Sequence, residues 1–124
     1  MPSEDLLRQL FVKKSLKNNE TGFQLSLKNP LSDATIIQPA KITIKGDTVE
    51  TEKYKNFEVE VGGKRFNNKE ISKTNPFEFT VKAEVTLFFK RDIPLPTEKY
   101  KLKFDFLTEE YGELKFSMKE KIRE

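Results

Sequence analysis

Any chemistry in this chain has to come from lysine, carboxylate and tyrosine side chains, because its 124 residues include neither Cys nor His. Thiolate nucleophiles, imidazole bases, disulfides, structural zinc sites and histidine-ligated metals each need one or the other. The carboxylates do not converge. Glu58 and Glu60 share one outer strand face, and Glu109 and Glu110 sit in a turn. Neither pair has the apolar pocket or the unlike surroundings that drive two pKa values apart for acid/base work. Gly62-Gly63-Lys64-Arg65 lacks the Gly-x-x-x-x-Gly-Lys-Ser/Thr spacing and the following helix of a phosphate-binding loop, so it reads as a hairpin turn. No catalytic residue, cofactor, metal or small-molecule substrate is expected.

Contact surfaces remain. The last hairpin is expected to close around Thr108-Glu109-Glu110-Tyr111-Gly112 with Phe104 facing Phe116 and Leu102 facing Met118. That register sets Lys101 opposite Lys119 and Asp105 opposite Lys115 on the solvent face, with Lys103 between them. Like charges across a ladder repel, so Lys101, Lys103, Lys115 and Lys119 read as an anion-binding face with RNA phosphates as the simplest ligand. The competing reading is a lysine-rich outer face that only guards the sheet against edge pairing. Phe88 falls out of phase between Leu87 and Phe89, and Leu107 does the same at the end of the next strand. The two read either as a patch for a protein partner or self-association, or as the seat of an N-terminal helix through Leu7 and Phe11. Stacking on nucleic acid needs exposed aromatics beside basic residues. Tyr54, between Lys53 and Lys55, satisfies that, whereas Tyr111 lies beside Glu109 and Glu110.

The elements that carry these side chains follow from periodicity. Ser3 is a plausible N-cap, Glu4 and Asp5 occupy the first turn, and Leu6, Leu7, Leu10 and Phe11 form one apolar stripe, which predicts a helix of two turns. From residue 12 the period becomes two. Val12 to Lys17 is expected as a strand, Asn18 to Gly22 as a turn, and Phe23 to Lys28 as a strand ended by Asn29-Pro30. Ile42 and Ile44 alternate with lysines before Gly46-Asp47, and Phe57, Val59 and Val61 alternate before Gly62-Gly63. Phe77, Phe79, Val81, Ala83, Val85, Leu87 and Phe89 predict one long, bent strand. About seven strands with no amphipathic helix between them predict an all-β, immunoglobulin-like antiparallel sandwich with a short N-terminal helix, an up-and-down barrel being the second choice. Tyr100, two residues before the core residue Leu102, looks like a tyrosine corner, or is a core tyrosine of an ordinary strand. Residues 1–124 are expected to form a single domain, helix 1–11 and sandwich 12–122.

The charge is close to balance, 23 Lys and Arg against 20 Asp and Glu for a net +3, which pulls only weakly toward nucleic acid. No apolar run approaches the roughly 18 residues of a membrane span, and MPSEDLLRQLF has no basic-then-apolar signal pattern, so the cytoplasm is the expected compartment.

VKKSLKN (12–18), GFQLSLKNPLSDATI (22–36) and KITIKG (41–46) together resemble a group of small, uncharacterised archaeal one-domain proteins. Some of these go under the name of hydroxymethylglutaryl-CoA reductase. The residues argue against that name here, since the chain is too short for a nucleotide domain and has neither a Gly-rich dinucleotide turn nor a histidine. The Gly22–Pro30 stretch is also similar to the opening of late-embryogenesis-abundant type 2 sandwich domains, a resemblance that implies fold alone. The function expected from the sequence is a non-catalytic protein-interaction or scaffolding module working through Phe88 and Leu107. The alternative is an RNA- or ribosome-associated accessory protein working through the lysine-rich face.

Overall fold

Alternating apolar and polar residues give eleven strands among the residues 3–123 that the computed structural model describes. They are β1 (Lys17–Asn18), β2 (Gly22–Lys28), β3 (Ala34–Ile36), β4 (Lys41–Gly46), β5 (Glu52–Tyr54), β6 (Glu58–Val61), β7 (Lys64–Asn67), β8 (Phe77–Phe79), β9 (Glu84–Lys90), β10 (Lys99–Thr108) and β11 (Gly112–Lys121). One five-stranded sheet has the order β1-β2-β9-β6-β7, and a second has the order β5-β4-β10-β3-β8 with β11 on β10. Every strand pair is antiparallel. The result is the expected all-β sandwich, with more and shorter strands than the seven read from the sequence.

Its core is built from the inward residues of both sheets. Phe23, Leu25 and Leu27 of β2 meet Leu87 and Phe89 of β9 on one side, and Ile42, Ile44, Tyr100, Leu102 and Phe104 close it from the other. Rings bind the layers. Phe23 stacks on Phe89 at 4.7 Å, and Tyr54 of the opposite sheet meets both edge-on. Phe104 stacks on Phe116 at 4.6 Å, in the register expected for the last hairpin. The β6–β7 hairpin turns on Gly62 and Gly63, both at positive φ, which a two-residue turn of matching twist requires. Tyr100 is buried, and its hydroxyl donates to the Pro96 carbonyl at 2.5 Å, as a tyrosine corner does. Burial, with the Glu98 charge adding, pushes that hydroxyl up to about 12.

Two strand expectations need correction. The single strand over 77–89 is two strands in different sheets, β8 and β9, broken at Lys82 with φ 73°. The alternation runs through because the chain passes from one sheet to the other while both inner faces look onto one core. Asn29, almost wholly buried, stitches this crossing. Its amide donates to the carbonyls of Ser32 and Phe79 and its oxygen accepts from Leu31 N–H, while its own N–H donates to Ala83. Of the strand expected over Val12 to Lys17, only Lys17 belongs to one, at the start of β1. Lys14 sits at φ 67°, and Ser15 Oγ takes the Ser26 N–H at 3.0 Å, so a side chain occupies the edge where a backbone ladder was expected.

The helix α1 (Glu4–Leu7) is capped by Ser3, whose hydroxyl accepts from Leu6 N–H, and runs into a 3-10 turn at Arg8–Leu10. Leu7, Leu10 and Phe11 are buried, with Phe11 against Phe104, whereas Leu6 points to solvent. The helix also closes a sheet edge. Ser117 N–H of β11 donates to Glu4 Oε2 at 3.0 Å, and Arg8 Nε donates to the Ser117 carbonyl at 2.8 Å. Two side chains thus occupy backbone groups that would otherwise template a further strand.

Candidate functional site

Strand alternation decides which side chains reach the outer face of the second sheet, and the register decides which stand together. One row runs Lys53, Thr43, Lys103, Ser117 across β5, β4, β10 and β11. The next runs Lys41, Asp105, Lys115, and on the other side lies Lys45, Lys101, Lys119. A cleft of about 470 Å³ opens over the first two rows, walled by Lys41, Lys53, Lys103 and Lys115 with Thr43, Thr51 and Ser117, floored by Phe104 and Phe116, and bounded by Glu4 and Asp105. Of the four lysines singled out in the sequence, Lys103 and Lys115 line this cleft, while Lys101 and Lys119 stand opposite one another one row beyond it. Lys41 was not singled out, and Lys53 was read only as a basic flank of Tyr54. The Lys41-Ile42-Thr43-Ile44-Lys45 alternation already put lysines on the polar side, but nothing in the sequence said that β4 would lie against β10.

Charge in the cleft is unevenly balanced. Lys115 reaches Glu113 at 3.5 Å, an exposed pair of the kind that contributes little. Burial lifts the Asp105 carboxyl above its ordinary value, the adjoining Glu113 adds to the rise through charge and hydrogen bond, and Lys115 and Lys41 oppose it.

The apolar candidates do not form a patch. Phe88 lies on the outer face of the five-stranded sheet and Leu107 on the six-stranded one, so the two cannot touch. The Arg65 guanidinium covers the Phe88 ring at 3.8 Å and is itself held by Glu60. The N-terminal segment instead seats Phe11 against Phe104 and Leu7 beside Phe79, Phe106 and Leu114 in the core. Tyr54 is no stacking platform: its ring packs on Phe23 and Phe89, and its hydroxyl donates to Glu52, which Arg91 grips. Burial and Glu52 raise that hydroxyl well above its usual range. The Tyr111 hydroxyl is paired with Ser32 Oγ at 2.7 Å.

Three exposed carboxylates share one arrangement, each taking a backbone N–H and the hydroxyl of the same residue. Glu98 holds Thr48, Glu110 holds Thr35 and Glu4 holds Ser117. These bonds hold all three carboxyls below their ordinary value of 4.5, the Thr48 hydroxyl leading for Glu98 and the backbone N–H for the other two. A folded-state pKa below the unfolded one confers stability that is full above the unfolded value and is lost as pH falls through the folded value. Thermal melts are therefore expected to hold steady from neutral pH down to about 4.5 and to drop below it, with a shallower drop in a Glu98→Gln, Glu110→Gln double variant.

Fold and site together define a β-sandwich domain with a lysine-walled cleft on the outer face of one sheet. Comparison with protein-family models matches residues 6–123 to hydroxymethylglutaryl-CoA reductase, N-terminal domain, and the chain belongs to that family. Comparison with curated proteins gives no match. The family overturns the scaffolding module and its RNA-associated alternative, and also the rejection of the reductase name. Length, glycine pattern and histidine are tests for a nucleotide-binding catalytic body, and the matched family is the N-terminal domain. Among the described residues no helix is long and apolar enough to cross a membrane, and no three metal-type ligands cluster.

Proposed function

We propose that this domain serves a hydroxymethylglutaryl-CoA reductase by holding the phosphate-bearing part of a CoA thioester in the lysine-walled cleft. The observation that carries the reading is the convergence of Lys41, Lys53, Lys103 and Lys115, one from each of four adjacent strands, on a single cleft of about 470 Å³. CoA presents a diphosphate and a 3′-phosphate, anions that compact ammonium groups on flexible stems suit well. The threonine hydroxyls of residues 43 and 51 supply further donors at the same wall. The cleft is within the size range of small-ligand sites. With no Cys, no His and no dinucleotide glycine turn, this chain's part is capture of the thioester, and the reduction falls to residues outside it.

Calorimetric titration with CoA tests the reading. Binding is expected to weaken as salt is raised, because the contacts are between partly exposed charges. The double variant Lys53→Glu, Lys103→Glu is expected to lose at least about tenfold in affinity, since each change replaces attraction by repulsion within a few ångströms. Both lysines are solvent-facing, so the variant keeps its core. Absence of CoA binding, or binding indifferent to the charge reversal, would overturn the proposal.

A further inference from the structure

The cleft already contains an anion of its own. Asp105 stands in the middle of the row Lys41, Asp105, Lys115, flanked on β4 by Lys41 and on β11 by Lys115, with Lys103 two residues back on β10. Glu113, bonded to Lys115, adjoins it from β11, and Lys53 of β5 and Glu4 of α1 face it across the cleft. Lys115 is therefore engaged by a carboxylate before any ligand arrives, and Lys41 and Lys115 both stand beside Asp105 in the register. We propose that an anion entering this cleft settles on Lys41 and Lys115, on either side of Asp105, and that Asp105 binds a proton from solvent as it does so.

The inference rests on the anion-capture reading and adds its regulation. Once a phosphate sits on Lys41 and Lys115, their charges are offset by the ligand, and Asp105 faces a second negative group besides Glu113, which disfavours its ionised form. Asp105 is already disposed to accept a proton in the free protein by burial and by Glu113. Lys103 and Lys53 stay with the ligand and temper the rise, whereas Glu4 is tied to Ser117 and Arg8 and takes no part. Reciprocity then requires that a lower pH tighten ligand binding, because a process that takes up protons is driven by them.

The probe is dephospho-CoA, whose diphosphate bridge has no monoester phosphate to titrate near neutrality. Its affinity is measured calorimetrically from about pH 7.5 to about pH 5.5, in buffers of different ionisation enthalpy so that proton uptake is counted. The wild type is expected to bind roughly tenfold tighter at the lower pH and to take up a fraction of a proton approaching one. Asp105→Asn is expected to bind tightly across the range with little uptake. Wild-type binding that is independent of pH, or Asp105→Asn keeping the full pH dependence, would overturn the proton linkage and leave the capture reading standing. No binding of the probe to either protein at any pH would overturn the capture reading and the linkage with it.

Discussion

Phe104→Ala is expected to lower the unfolding free energy by about 3 to 5 kcal/mol, a large share of what a domain this size commonly has. The ring is 1 % exposed and stacks on Phe116 at 4.6 Å, with Phe106 and Phe11 each at 6.3 Å. Removing it opens a cavity against the central hairpin and also takes away the surface on which the N-terminal segment seats Phe11. Neither strand can collapse into the gap without breaking the β4–β10–β11 register. Denaturant melts measure the loss, and a value below about 1 kcal/mol would mean that residue 104 does not face the core.

Asn68→Ala is the second large effect, expected at about 2 to 3 kcal/mol by the same measurement. The side chain is 1 % exposed and acts as a clasp between two loops. Its amide donates to the carbonyls of Ala40 and Lys55, and its oxygen accepts from Ala40 N–H at 3.2 Å. Alanine leaves three backbone groups without a partner in a place too closely packed to bring water to all of them. Asn68→Asp keeps the acceptor and loses the two donated bonds, so it too should destabilise, and more at neutral pH than in mild acid, where a protonated carboxyl can donate once. A loss below about 0.5 kcal/mol for the alanine variant would show that water replaces the clasp.

These two residues mark what the sequence shows and what it hides. Phe104 was legible because strict alternation from Tyr100 to Phe106, matched by Leu114 to Met118 across a turn of turn-forming residues, leaves one register that buries every ring. Asn68 was not, because a buried asparagine has no period. Only the Asn67 to Glu70 spacing, a capping box around a short 3-10 turn, hinted at local order there. The change of sheet at Lys82 was hidden for the opposite reason, since the apolar period continues across it. The lysine cleft was half legible. Lys103 and Lys115 belong to neighbouring strands of one hairpin, but Lys41 and Lys53 reach them through pairing between strands far apart in the chain, which alternation does not specify. Phe88 and Leu107 illustrate the reverse error, two out-of-phase residues joined on paper that the topology sends to different sheets.

Amide chemical-shift mapping of the nitrogen-15-labelled domain with added CoA tests the central claim most directly. The account predicts shifts concentrated at Lys41, Thr43, Lys53, Lys103 and Lys115, with the outer face of the other sheet around Phe88, Glu58 and Arg65 unmoved. Shifts confined to that opposite face, or none at saturating CoA, would contradict it.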